Sequence, residues 1–275
     1  MSGKAFVVLA QKELRDAFRN RWFVADALAL LTLSLVLSLL VYLTGAASPV
    51  SGFGRTAASL VNLMLLLVPL MGITLGALAI AGDRERGALE FWLTQPISTA
   101  TFFLAKALGM GAALAAAVLV GFGASSVVLL LVGATDPFAF LILAGLTVLL
   151  AWASLALGLL LSSRCARTST AASLGLGAWL LLVLLGDLGL MGTALAVRLP
   201  PAWLLAIALG NPVETYRIAA LRLLAGTLEL LGPAGLYADE RFGASLWILL
   251  PAMLLLWIAA GTGLAYIVLR REVSR

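Results

Sequence analysis

Few side chains of this sequence have the chemistry of a catalytic site. The chain has no histidine, the commonest general base and metal ligand, and its one cysteine, Cys165, cannot form an internal disulfide. It contains no Gly-x-x-x-x-Gly-Lys-Ser/Thr loop for ATP, no His-Glu-x-x-His motif and no Gly-x-Ser-x-Gly motif. We therefore predict a chain that is not an enzyme and that holds no metal or other cofactor of its own.

The largest group of polar and aromatic side chains that could act together is the segment 83–98, Asp-Arg-Glu-Arg-Gly-Ala-Leu-Glu-Phe-Trp-Leu-Thr-Gln-Pro-Ile-Ser. Its spacing predicts a short helix with Leu89, Trp92 and Leu93 on one face. Ser98 is in position to cap the next helix. The apolar face could dock into a groove on a partner protein, or its side chains could lie among lipid headgroups, and the residues alone favour neither interpretation.

Two further polar groups lie in or beside apolar segments. Asp187 falls near the outer end of a predicted span, where it either lines a translocation path or caps backbone at headgroup level. A second helix should begin after Asn211, an N-cap residue followed by proline and then by Glu214. Glu214, together with Tyr216 and Arg217, either contacts a periplasmic partner or forms a plain surface ion pair.

Membrane-spanning helices must position these groups. Of the 275 residues, 63% are apolar and 11% are charged, far from the balance of soluble domains. Several apolar runs exceed the roughly 20 residues that cross a hydrocarbon core, and no segment alternates as a barrel strand does. We predict one all-α integral membrane domain over residues 1–275, with six spans at about 22–44, 57–81, 102–132, 138–161, 171–190 and 246–269.

Two segments of the chain need not span the membrane. Residues 1–21 predict an amphipathic helix that lies as an elbow on the inner leaflet, with a plain charged leader as the alternative. Residues 191–245 are interrupted by prolines and predict a periplasmic helical region before the last span. The apolar face of the first helix should consist of Phe6, Val7, Ala10, Leu14, Ala17 and Phe18.

Lys and Arg residues are divided unequally between the two sides of the membrane. With the N-terminus inside, thirteen of the eighteen fall on the cytoplasmic side. This bias predicts that both termini and the segment 83–98 are cytoplasmic. Because the cations cluster beside apolar runs, they orient helices and do not indicate nucleic acid as a partner.

Glycines inside the predicted spans permit close approach of helices. Gly72 and Gly76 are four residues apart in the second span, Gly109 lies in the third, and Gly175 and Gly177 lie in the fifth. We interpret these positions as packing within the chain in preference to a dimer interface.

The segment 83–98 resembles the cytoplasmic signature of type-2 ABC exporter permeases, Glu-x-x-x-Gly-Thr-Leu-Glu-x-Leu-Leu-x-x-Pro-Ile-Ser. Ala88 replaces the threonine of that signature, and Glu85 stands two residues before Gly87 instead of four. The resemblance extends to the elbow, the six spans and the broken region before the last span. It implies a coupling helix that receives the motion of a separate ATPase, with that role on Glu85, Gly87, Leu89, Glu90, Trp92, Leu93 and Pro96.

Within that family, the chain is similar to the permeases that mature nitrous-oxide reductase, through the stretches 13–16, 19–22, 186–188 and 211–217. The resemblance implies a homodimer among the lipids of the bacterial inner membrane. Its partners would be a NosF-like ATPase, which carries the ATP and Mg, and a NosD-like periplasmic protein. The function implied is assembly of the reductase's copper–sulfur site, by movement of a sulfur species or by driving the periplasmic partner. The alternative is a type-2 exporter of another cargo, such as lipid, drug or haem.

Overall fold

The structure, a computed structural model, describes residues 3–43, 52–95, 97–131, 137–196, 200–225, 228 and 233–273. Nearly all of these residues are helical, and none of them forms a strand. A short 3-10 turn, Gly243–Ser245, precedes the last helix. In chain order the helices are α1 Gly3–Arg19, α2 Arg21–Leu43, α3 Gly52–Glu85, α4 Ala88–Thr94, α5 Thr99–Leu131, α6 Pro137–Arg164, α7 Thr168–Ala196, α8 Pro201–Leu209, α9 Pro212–Ala225, α10 Pro233–Phe242 and α11 Leu246–Val273.

Apolar helices of membrane-crossing length dominate the fold. Six apolar stretches are found in the described residues. Five are long, and the sixth, Thr168–Leu184 of α7, is shorter. The predicted all-α fold with six apolar helices is therefore confirmed. The five longer stretches, each able to cross a membrane by length and composition, are Arg21–Leu40, Ser59–Glu85, Thr99–Val128, Pro137–Arg164 and Gly235–Val273.

The centre of the fold is the contact between α3 and α6, where glycines let two backbones touch. A Cβ on Gly72 would lie 2.8 Å from a backbone oxygen of α6, and one on Gly76 would lie 2.6 Å from another. Gly158 of α6 meets the backbone of α3 in the same way, and Gly175 of α7 packs on a side chain of α3. The predicted packing within the chain is thus confirmed at Gly72, Gly76 and Gly175, whereas a Cβ on Gly177 would meet no atom within 4 Å.

The other helices surround this central pair. Helix α7 packs on α3, α11 packs on α6, and α1 and α2 both pack on α5. Helix α9 is inserted between α3, α6 and α11. Most buried apolar side chains of the described helices form one continuous cluster. The ends of α5, α6, α7 and α11 lie near the end of α3, where the charged segment begins.

Helix α1 packs on α5 through one stripe of residues and leaves part of its predicted apolar face exposed. Its buried residues are Leu9, Glu13 and Ala17, which are spaced by four and lie against α5. Val7 and Phe18, both assigned to the apolar face, are exposed. Glu13 belongs to the packed stripe because its carboxylate pairs with the buried ammonium of Lys106 on α5. That the exposed apolar side chains lie on the inner leaflet stays a prediction.

Candidate functional site

The last residues of α3 send their side chains to other helices. Arg84 donates to the backbone oxygen of Cys165, which follows α6, and forms an ion pair with Glu272 of α11. Asp83 and Glu85 reach α5 and α7 respectively. Three successive residues, which we call the α3 terminus, therefore connect α3 to the ends of four neighbouring helices.

Glu85 caps the beginning of α7. Its carboxylate accepts the backbone N–H of Thr168 at 2.8 Å and also accepts the Thr168 hydroxyl. Thr168 is the first residue of α7, so its N–H has no acceptor within the helix. A negative charge at this position is also favoured by the helix dipole. Glu85 thus lies on α3 and is bound to α7, and its role in coupling stays a prediction.

A buried ion triad joins α1, α3 and α5. The Nζ atom of Lys106 lies 2.7 Å from a carboxylate oxygen of Glu13 and 2.8 Å from one of Asp83. All three side chains are 6% exposed or less. Removal of one partner from such a buried group leaves an uncompensated charge and typically costs about 3–5 kcal/mol.

The triad is the middle of a longer series of charges that alternate in sign. At one end Glu13 pairs with Lys12, which pairs with Asp16 across one turn of α1, and each of these distances is 3.0 Å. At the other end Asp83 pairs with Arg86, also at 3.0 Å. We call this series the charge chain; its members in order are Asp16, Lys12, Glu13, Lys106, Asp83 and Arg86.

The charge chain is electrically balanced, because it contains three carboxylates and three cations. Each internal member contacts two charges of the opposite sign. Burial opposes protonation of Lys12, but the carboxylates of Glu13 and Asp16 outweigh it and raise the pKa of the Lys12 ammonium. All six side chains line a cavity of about 690 Å³, which α4 also borders through Phe91 and Trp92.

Helix α4 follows the α3 terminus after a tight turn at Gly87. Gly87 has a φ of 68°, in the left-handed region that glycine adopts without strain, and its N–H donates to the backbone oxygen of Arg84 at 3.0 Å. The helix then runs for seven residues and ends at Thr94. The turn therefore fixes the direction in which α4 leaves the α3 terminus.

The structure turns the predicted apolar face of α4 toward the chain's own helices. Leu89 is buried, and the Trp92 ring packs 6.5 Å from that of Phe102 on α5. The outer face instead carries Glu90 and, at the edge of the cavity, the ring of Phe91, which is 59% exposed. A partner that docks on α4 in this conformation would therefore contact Glu90 and Phe91, not Leu89. The difference arises because anchoring to α3 and α5 fixes the rotation of so short a helix.

Of the other predicted features of this segment, one is confirmed and two fall outside the described residues. Ser98 caps α5 as expected, because its hydroxyl accepts the N–H of Thr101 at 3.1 Å. Pro96 lies outside the residues that the structure describes, as does the side chain of Leu93. Their role in coupling stays a prediction.

The second predicted group, which surrounds Asn211, is formed but buried. As predicted, Asn211 caps α9: its side-chain oxygen accepts the N–H of Val213 at 2.9 Å. Tyr216 is fully buried and shares a hydrogen bond of 2.9 Å with Thr147 of α6. Glu214 is 2% exposed and forms an ion pair with Arg217 at 3.1 Å.

The burial of this second group corrects the expectation that it contacts a periplasmic protein. Asn211, Glu214 and Tyr216 are not accessible to a partner in this structure, and the exposed fraction of the Arg217 side chain is 19%. The physical reason is that α9 lies among the spans, so that its polar side chains satisfy one another and neighbouring helices.

Asp187 follows a glycine that makes room for this buried group, although the Asp187 side chain itself lies outside the described part of the chain. A Cβ on Gly186 of α7 would lie 2.9 Å from Cδ of Glu214. We expect Gly186→Ala to displace the Glu214 carboxylate and to lower the free energy of unfolding by about 1–3 kcal/mol.

The measurement is the thermal midpoint of the purified protein, with Gly177→Ala on the same helix as the control. Because a Cβ on Gly177 meets no atom within 4 Å, that variant should unfold near the wild-type temperature. Equal thermal midpoints for the two variants would show that the Glu214 carboxylate does not require the absence of a side chain at position 186.

Sequence reasoning missed the most connected residues of the site. Glu13 and Lys106 lie 93 positions apart, and nothing in the sequence pairs them. A signal was nevertheless present, because Lys106 stands inside an apolar span, where an ionisable residue usually has a specific partner.

The family model described as "ABC-2 family transporter protein" matches residues 7–272, which is nearly the whole chain. The chain belongs to this family of ABC-2 transporter permeases. Two curated ABC-2 relatives, from Stutzerimonas stutzeri and Pseudomonas aeruginosa, are both described as "Probable ABC transporter permease protein NosY". The first is 35% identical, with 97% of this chain and 98% of the relative aligned. The second is 36% identical, with 96% and 97% aligned.

These similarities agree with the helical fold. They also agree with the resemblance of the segment 83–98 to the signature of type-2 ABC exporter permeases. The chain is an ABC transporter permease of the NosY type, a multi-pass membrane protein. Permease subunits of ABC transporters are generally not catalytic, and they work together with an ATPase. The α3 terminus and α4 contain the residues that resemble the signature segment of this family.

Proposed function

We propose that this chain is the membrane subunit of a bacterial ABC transporter that takes its energy from a separate, NosF-like ATPase. In this proposal it lies in the inner membrane, with both termini and α4 on the cytoplasmic side, where most of its Lys and Arg residues fall. ATP and Mg belong to the ATPase, and this chain supplies the helices that move.

The observation that carries the proposal is the connection of α4 to the rest of the molecule. The outer face of α4 presents Glu90 and Phe91 to a partner. Only Arg86 and Gly87 separate α4 from the α3 terminus, which is bound to α5, α6, α7 and α11. A displacement of α4 by the ATPase would therefore reach several spans at once.

On the other side of the membrane, the proposed role is maturation of nitrous-oxide reductase. The chain would act as a homodimer with a NosD-like periplasmic protein and support assembly of the reductase's copper–sulfur site. Support comes from the full-length similarity to two proteins described as NosY. Because Asn211, Glu214 and Tyr216 are buried, the proposed NosD-like partner would have to contact other residues.

The experiment combines reconstitution with a genetic deletion. Tagged chain is co-expressed with the NosF-like and NosD-like proteins, and we expect all three to co-purify with an ATPase activity higher than that of the ATPase alone. In a deletion strain, nitrous-oxide reductase should be made without its copper–sulfur site, as measured by its spectrum and sulfide content.

The two parts of the experiment separate the energy source from the cargo. A deletion strain that still makes the complete copper–sulfur site would contradict the maturation role while leaving the transporter role intact. Failure of any ATPase to co-purify or to respond would contradict the transporter role itself. Complementation of the deletion with the wild-type gene is the control.

A further inference from the structure

We propose that the charge chain makes α1 and α4 move as one body, with Lys106 as the positioning residue that holds them together. This inference rests on the proposed function, because it describes how motion received at α4 is distributed. It extends the moving unit to α1, which precedes the spans and which the predicted coupling residues do not include.

The first step is the position of Lys106. Its ammonium group is 3% exposed and contacts carboxylates from two different helices, Glu13 of α1 and Asp83 of α3. Lys106 itself belongs to α5. One cation therefore fixes three helices relative to one another, and Asp83 lies only five residues before the start of α4.

The second step is that apolar packing does not fill the space between α1 and α4. A cavity of about 690 Å³ lies there, bordered by Ala17 of α1 and by Phe91 and Trp92 of α4. The charge chain runs along the wall of this cavity, and Lys12 also places its ammonium 5.5 Å from the centre of the Trp92 ring. Charges and this cation–π contact therefore carry the connection across the cavity.

The third step is that the chain can transmit motion without leaving a charge alone. Glu13 and Asp83 each lie between two cations, Glu13 between Lys12 and Lys106, and Asp83 between Lys106 and Arg86. Because each carboxylate is held by two cations, a displacement of one helix carries its partners with it instead of separating an ion pair. Apolar contacts would give no such preference for defined partners.

The test removes the link between α1 and α5 without creating an unpaired buried charge. In the double variant Glu13→Met/Lys106→Met, Asp83 keeps Arg86 and Lys12 keeps Asp16. Methionine fills space similar to that of the removed side chains, and buried pairs replaced in this way often leave the fold stable. The matched control is Arg222→Met/Asp239→Asn, which removes another interhelical pair, between α9 and α10.

The main readout is ATP hydrolysis by the reconstituted complex. We expect Glu13→Met/Lys106→Met to assemble with the ATPase and keep its KM for ATP, but to lose about tenfold of the permease-dependent kcat, the size of a typical coupling between sites. The control should stay close to wild type. A double variant that keeps full stimulation would overturn the inference, as would an equal loss in the control.

A second readout measures the motion itself. Spin labels at Arg15→Cys on α1 and Thr94→Cys on α4, in a Cys165→Ser background, place both probes at exposed positions. With wild-type charges, the distance between the labels should be the same without nucleotide and with ATP. With Glu13→Met/Lys106→Met, the distribution of distances between the labels should broaden, and its mean should change with ATP. A nucleotide-dependent distance in the presence of the wild-type charges would overturn the inference.

Failure of the proposed function gives a different result. If the wild-type chain neither binds nor stimulates any ATPase, the transporter role fails before the variants are compared. If stimulation is normal in the wild type and in the double variant, only the inference about the charge chain fails.

Discussion

Replacing Gly158 with alanine is expected to destabilise the protein more than any other single methyl addition to the spans of α3 and α6. The added Cβ would lie 2.9 Å from the backbone nitrogen of Ala77 and closer still to the carbonyl oxygen of Ile73. Because these atoms belong to the backbone of α3, no rotamer change can relieve the contact. Helices must separate, which we expect to cost about 2–3 kcal/mol and to lower the Tm by roughly 5–10 °C.

The measurement is thermal unfolding of the purified protein, with Gly145→Ala as the control on the same helix. A Cβ on Gly145 meets no atom within 4 Å, so this variant should unfold within a degree or two of wild type, a change of less than about 0.5 kcal/mol. A larger replacement, Gly158→Leu, should yield little monodisperse protein. Normal stability of Gly158→Ala would contradict the close contact of α3 with α6.

The second large effect is expected at Gly87, where the turn between α3 and α4 requires a left-handed backbone. Proline fixes φ near −65° and has no N–H, so Gly87→Pro cannot keep the φ of 68° or the hydrogen bond to Arg84. We expect α4 to lose its orientation and the permease-dependent ATPase rate to fall by about tenfold or more, a loss of about 1.4 kcal/mol or more in coupling.

The control for this prediction is a substitution at the same position. Gly87→Asn should keep most of the stimulation, because asparagine adopts the left-handed region more readily than other side chains do. Both variants should insert into the membrane normally, since Gly87 lies outside the apolar spans. If Gly87→Pro and Gly87→Asn stimulate equally well, the direction of α4 does not matter for coupling.

Local signals in the sequence predicted much of the fold. Gly72 and Gly76 indicated a close helix contact, and the pair Asn211-Pro212 placed the start of α9 at the correct residue. Both features depend on interactions within a few residues or on the absence of a side chain. For the same reason the order of the apolar helices and the cap at Ser98 could be predicted.

Features that depend on contacts between distant segments could not be predicted in this way. The pairing of Glu13 with Lys106 decides which face of α1 is buried, and the anchoring of α4 decides that Leu89 points inward. Periodicity identifies an apolar face, but it does not show whether that face packs on another helix of the chain, on a partner protein or on lipid. Likewise, the sequence around Glu214 and Tyr216 has the pattern of a surface helix. Both side chains are buried because α9 packs between the spans.

The most direct test of the account is the side of the membrane on which α4 lies and whether the ATPase covers it. Thr94→Cys in a Cys165→Ser background gives one exposed thiol on α4, to be labelled with a membrane-impermeant maleimide. We predict labelling in inside-out vesicles but not in intact spheroplasts, and protection of the thiol when the NosF-like ATPase is bound. Labelling of intact spheroplasts, or labelling that the bound ATPase does not reduce, would contradict the claim that this permease receives its energy through α4.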